Sequence, residues 1–284
     1  MIIMKEEEML PGFLLTLREG LEAALIVGIV LGALQKMHRP ELRSAIWWGV
    51  GTAVALSLAV GFGLSRVGLS LEGAAEEAFE GLMMLAAAMV LTWMIFWMNR
   101  FARQLKTQLE GEVRLAASAS RRGALFSLAF LAVLREGIEL ALFLTAAAMT
   151  SGGLPTVLGA ALGLCGAVFF GWALFASTIR LDLRRFFQVT SILLVLFAAG
   201  LVAHAVHEFN ELGWIPPLIE EVWNMNSILP EQSWGGQLLT ALFGYNANPS
   251  LSEVLAYGLY WIGIGLGLLG ARRHALSLPT GVLS

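Results

Sequence analysis

Long apolar runs separated by short charged stretches dominate the chain. Seven runs are long enough to cross a bilayer as helices, at about 11–34, 45–67, 79–98, 123–149, 156–178, 186–208 and 251–270. About 20 apolar residues suffice for one crossing, so the pattern predicts an all-α, polytopic membrane protein with seven transmembrane helices.

The charged stretches between the runs orient the expected bundle. Lys36, Arg39 and Arg43 occupy the first connection, and Arg100, Arg103, Lys106, Arg114, Arg121 and Arg122 the third. Arg180, Arg184 and Arg185 follow in the fifth, and Arg272 and Arg273 in the tail. All fall on one side, which the positive-inside rule makes cytoplasmic, since only Lys5 and Arg66 are basic on the other. Glu6–Glu8, Glu72, Glu76, Glu77, Glu80, Glu208, Glu211, Glu220, Glu221, Glu231 and Glu253 fall on the other side. The N-terminus is therefore expected outside and the C-terminus inside.

A five-residue stretch occurs twice within the apolar runs: Arg18-Glu19-Gly20-Leu21-Glu22 and Arg135-Glu136-Gly137-Ile138-Glu139. The first lies on span one and the second on span four, three crossings later, so the two copies run antiparallel. That implies two three-helix units of inverted topology, a common transporter plan with its site near the midplane. The expected division is residues 1–122 for the first repeat and 123–208 for the second. An extracytoplasmic loop over 209–250 and a seventh span with cytoplasmic tail over 251–284 complete it.

Composition agrees: 57% of residues are hydrophobic and 14% charged, and the mean hydropathy is +0.74. The single cysteine, Cys165, permits no intrachain disulfide and no thiolate cluster. Nothing suggests a nucleic-acid partner, and there is no nucleotide-binding motif. The first apolar run carries Arg18, Glu19 and Glu22, which argues against a cleaved signal peptide.

On a helix, residues three and four apart share a face, so Arg18, Glu19 and Glu22 converge, as do Arg135, Glu136 and Glu139. Charges at bilayer depth are costly and mark functional positions. Hard cations take oxygen ligands, and four carboxylates supply both oxygen and neutralising charge. The two arginines offset two of the four charges and favour ionised carboxylates. The plainer reading, two intramembrane salt bridges that lock the bundle, leaves two glutamates without a purpose.

A second group lies at the outer level. Glu76, Glu77 and Glu80 open span three, and His204, His207 and Glu208 close span six. They form a possible first stop for a cation. Equally, the acids suit a helix N-terminus and the histidines suit an interfacial pair. In the 209–250 loop, residues 236–243 read as a short amphipathic or re-entrant helix. The loop as a whole could cap the outer mouth, dock a partner or simply connect.

The doubled R-E-G-[LI]-E motif closely resembles the oxidase-dependent, high-affinity iron permeases, a family that includes fungal plasma-membrane permeases and a bacterial EfeU type. Phe79-Glu80-Gly81 and His207-Glu208-Phe209 extend the resemblance across most of the chain. It implies iron-binding roles for Glu19, Glu22, Glu136 and Glu139, with Arg18 and Arg135 as their partners. It also implies an extracytoplasmic iron oxidase or peroxidase and an iron-binding protein beside the permease. The expected function is movement of iron, as the ferric ion, across the inner membrane into the cytoplasm, with iron as substrate and no cofactor. Another metal cation such as lead or manganese is the alternative cargo. An intramembrane carboxylate metal enzyme is a weaker alternative, because Glu-x-x-His pairs are absent, and so is a mere membrane anchor for a redox partner.

Overall fold

A computed structural model describes residues 6–119, 121–176 and 183–276. Regular structure among these residues is helical throughout. In chain order the helices are α1 (Glu6–Lys36), α2 (Arg43–Ser70), α3 (Ala74–Ser118) and α4 (Arg122–Ser151). They continue with α5 (Gly153–Ala176), α6 (Leu183–Glu211), α7 (Trp234–Phe243) and α8 (Leu251–Leu276). A 3-10 turn at Pro40–Leu42 joins α1 to α2.

Five helices, α2, α3, α5, α6 and α8, contain stretches long and apolar enough to cross a membrane. The long helices α1 and α4, of 31 and 30 residues, carry the two charged motifs. α1 is also well enclosed, while α4 turns Leu131 and Ile138 outward. From Glu8 to Leu34 no residue of α1 is exposed, whereas α2, α5 and α8 present Leu58, Phe169 and Leu266 outward. The buried charges are thus held on inner helices and the apolar side chains face out, as a membrane demands.

The packing partners cross over. α1 lies mainly on α5, and α4 mainly on α2; α3 lies on α6, and α1 and α4 also touch. Small residues allow these approaches, since without a side chain two backbones can close on one another. Gly159 abuts the backbone of Met9 and Phe13, Gly163 that of Phe13 and Leu17, and Gly49 that of Phe126 and Phe130.

Two segments expected to be connections are partly helical. The 99–118 stretch continues α3, so that helix runs for 45 residues. Its charged residues suggest a loop, but Arg, Gln, Lys, Glu, Leu and Ala are also strong helix formers. Val113, Ala116 and Ala117 bury this extension against Val30, Leu34, Ile46 and Leu125.

In the 209–250 segment, α7 begins two residues before the expected helix. Ser233 caps it, its hydroxyl accepting the Gly236 N–H at 3.0 Å. Gly244 ends it with φ +66°, and its backbone lies against Gly200 of α6. Gly200 is 11 residues from the end of α6 at Glu211, a depth of about 16 Å. The Glu231 carboxylate accepts the Ala247 N–H at 2.6 Å and ties the two ends of this excursion together. α7 touches α6, α1 and α4, so it dips inward beside both motif helices. Arg180, together with the side chains of Arg100, Arg103, Lys106, Arg184, Arg272 and Arg273, lies outside the described residues.

Candidate metal centre

The two motifs meet where α1 and α4 cross. Arg18 reaches Glu19 Oε1 with Nη1 at 2.6 Å and Glu22 Oε1 with Nη2 at 3.0 Å. Its guanidinium is fully buried, and Nη1 also lies 3.0 Å from Met94 Sδ of α3. On α4, Arg135 Nε lies 3.0 Å from Glu139 Oε1 and 3.6 Å from Glu136 Oε1. The i,i+4 spacing therefore forms both ion pairs in the manner the sequence implies.

Carboxylate oxygens of Glu19, Glu22 and Glu136 lie within 4.8 Å of one another. Two oxygens across one hard cation stand apart by up to twice the metal–oxygen distance, about 4–5 Å for distances of about 2.0–2.6 Å. The triangle therefore suits a single cation. Glu139 is outside it but within electrostatic reach of Glu19 and Glu22. Glu19 Oε2, Glu136 Oε2 and Glu139 Oε2 are buried and have no hydrogen-bond partner among the described residues. A buried oxygen left so carries a cost that a ligand would remove. Four carboxylates against two guanidiniums leave a formal charge of −2, which favours a cation.

Apolar layers surround the centre. Leu15, Leu91, Phe143, Ala146, Leu194 and Phe197 pack in one core cluster, and Leu17, Leu21 and Ala167 in another against Phe170 and Phe187. Such surroundings lower the local dielectric and strengthen every charge interaction within them.

The outer group is divided. Glu208 lies within electrostatic reach of Glu80 and Glu77, and Glu80 of Glu76, so α3 and α6 bring these carboxylates to one end. The Phe209 ring covers Gly81, which joins the two outer segments that extend the resemblance. His207 instead faces α8, with Nδ1 3.1 Å from Glu253 Oε1 and Nε2 3.4 Å from Glu211 Oε1. His204 places Nδ1 3.0 Å from the Gly200 carbonyl oxygen.

Sequence reasoning overlooked Met94 and placed Glu253 only among the outer acids, without its role. Met94 sits in an apolar run with nothing to mark it. Glu253 was legible: Ser250 and Glu253 have the S-x-x-E spacing of a capping box before an apolar run. The Ser250 N–H donates to Glu253 Oε1 at 3.2 Å and the Glu253 N–H to Ser250 Oγ at 3.3 Å.

Residues 9–276 match the iron permease FTR1 family. The ferrous iron permease EfeU of Escherichia coli O157:H7 is 40% identical over 255 residues, covering 88% of this chain and 91% of that protein. The ferrous iron permease EfeU of Yersinia pestis is 36% identical over 252 residues, covering 88% and 89%. No solved structure matches the chain. With a helical, membrane-spanning architecture and a match over nearly its whole length, the chain belongs to the iron permease FTR1 family.

Proposed function

We propose that the protein carries iron across the inner membrane into the cytoplasm through a centre formed by Glu19, Glu22, Glu136 and Glu139. The observation that carries this reading is the triangle of carboxylate oxygens within 4.8 Å, contributed by both motif helices. Arg18 and Arg135 reduce the charge of the centre without filling it. Glu76, Glu77, Glu80 and Glu208 form an acidic outer mouth, and His204 and His207 line the same level. α7 borders the path beside α1 and α4.

The bundle is read as seven spans, with α1 and α4 crossing despite their charges. α1 to α3 and α4 to α6 form inverted repeats, with the N-terminus outside. Support comes from the exchanged packing, α1 on α5 and α4 on α2, since one pseudo-two-fold operation converts each pair into the other.

Two readings of the cargo follow from different observations. An all-oxygen, carboxylate centre suits the hard ferric ion, delivered by an oxidase or peroxidase and an iron-binding protein outside. The relatives' name, ferrous iron permease, favours the ferrous ion. Uptake of radiolabelled iron by proteoliposomes holding the permease alone, offered as ferrous iron under ascorbate or as ferric citrate without reductant, separates them. Uptake of only the reduced ion means ferrous cargo.

The centre itself is tested by uptake and expression of Glu22→Gln, Arg18→Gln and the double variant. Each single variant is expected to lose most uptake. If the glutamates bind iron, the double also fails while reaching the membrane. Recovery in the double would instead mean that the pair only balances charge, and Glu22 would not be a ligand.

A further inference from the structure

We infer that Gly20 and Gly137, at the centre of the two motifs, are positioning residues: they set the spacing of the iron-binding carboxylates by letting α1 close on α5 and α4 on α2. This rests on the reading of the glutamates as the iron centre.

A Cβ added to Gly20 would lie 2.6 Å from the Cβ of Ala167 on α5. Carbon atoms in contact stand about 3.5–4.0 Å apart, so an alanine there would push the helices apart by about 1 Å. Ala167 has no room to retreat, being 1% exposed and packed with Leu17 and Leu21. At Gly137 a Cβ would collide with the Ser57 hydroxyl on α2 and lie 2.6 Å from the Ser57 Cβ. Ser57 is itself fixed, its hydroxyl donating to the Ala53 carbonyl at 2.9 Å.

Each glycine thus meets the middle helix of the other proposed repeat, at the depth of its own glutamates. Gly20 directly follows Glu19 and lies two residues before Glu22, so a shift of the α1 backbone there moves both carboxylates. Metal–ligand distances hold to about ±0.2 Å, and a shift of about 1 Å is several times that tolerance. Glycine is also a poor helix former. Alanine would favour both helices if packing were not limiting.

The test measures radiolabelled iron uptake by the full-length protein in proteoliposomes. The variants are Gly20→Ala, Gly20→Ala with Ala167→Gly, Gly137→Ala, and Gly137→Ala with Ser57→Gly. Gly32→Ala is the control, because a Cβ on Gly32 meets nothing within 4 Å. Each motif alanine is expected to raise the KM for iron about 10- to 100-fold, with the monodisperse yield retained. Each compensating double should return KM to within about threefold of the unaltered protein, and Gly32→Ala should leave it unchanged. A wild-type KM for either motif alanine overturns the inference, as does a double that does not recover. Should a single alanine fail to fold, its double decides: a folded double with near-normal KM supports the inference, and any other result refutes it. Glu22→Gln runs in parallel. If it transports with unaltered KM, the carboxylate centre is wrong; if it fails while Gly20→Ala is normal, only the role given to the glycines is wrong.

Discussion

Arg18 and Arg135 hold the same motif position but serve it differently. Arg18 uses separate nitrogens of its fork for Glu19 and Glu22 and is fully buried. Arg135 directs Nε at both of its carboxylates, with 35% of its side chain exposed. Lysine keeps the charge but not the planar fork. We therefore expect Arg18→Lys to reduce iron uptake at least about tenfold more than Arg135→Lys, measured at matched expression. Equal defects would show that the two arginines serve their motifs alike. At this scale the sequence was informative wherever chemistry follows spacing. The shared face of Arg18, Glu19 and Glu22 follows from helical periodicity alone. The contact of Met94 with Arg18 depends on how α3 lies against α1, which no local pattern encodes.

At the scale of elements, charge proved a weaker guide than helix propensity. The 99–118 stretch was expected as a loop because it is polar, yet an apolar edge of Val113, Ala116 and Ala117 gives it a surface to bury. α8 shows how one residue anchors an element. Glu253 is buried and accepts the Ser250 N–H, the Asn246 amide at 2.9 Å and a contact from His207. Truncating it leaves the buried Ser250 N–H without an acceptor and removes that half of the capping box, while the backbone N–H of residue 253 still donates to Ser250 Oγ. Glu253→Ala should destabilise the protein by about 1–3 kcal/mol, seen as a lower thermal midpoint in detergent. Glu253→Gln, which keeps an acceptor oxygen, should lose less. An unchanged midpoint for the alanine variant would mean that α8 is held by its apolar packing alone.

For the whole molecule, the proposed orientation and path make two predictions. In a Cys165→Ser background, a cysteine at position 7 should react with an impermeant thiol reagent in intact cells, and one at position 106 only after permeabilisation. Reaction at 106 from outside would reverse the topology. Inward movement of each positive charge gains about 2.3 kcal/mol per 100 mV of potential, interior negative. Iron uptake into proteoliposomes should then rise with an imposed interior-negative potential and need no ATP. Indifference to potential would require compensating charge movement. The crossed packing that supports inverted repeats was visible in the sequence only as two antiparallel motifs, because side-by-side placement of distant helices is decided by long-range contacts.

The length of α3 has a mechanical side. Its 45 residues extend about 67 Å, more than twice the hydrocarbon thickness of about 30 Å. Met94, held against Arg18, lies 20 residues from Ala74 and 24 from Ser118, so the contact divides the rod into arms of about 30 Å and 36 Å. A rigid tilt of about 5° around that point would swing the two tips by about 3 Å in opposite directions. One tip carries Glu76, Glu77 and Glu80; the other is embedded in the cluster around Leu34 and Leu125. The Met94 contact thus stands between an acidic end of the helix and an end anchored in apolar packing.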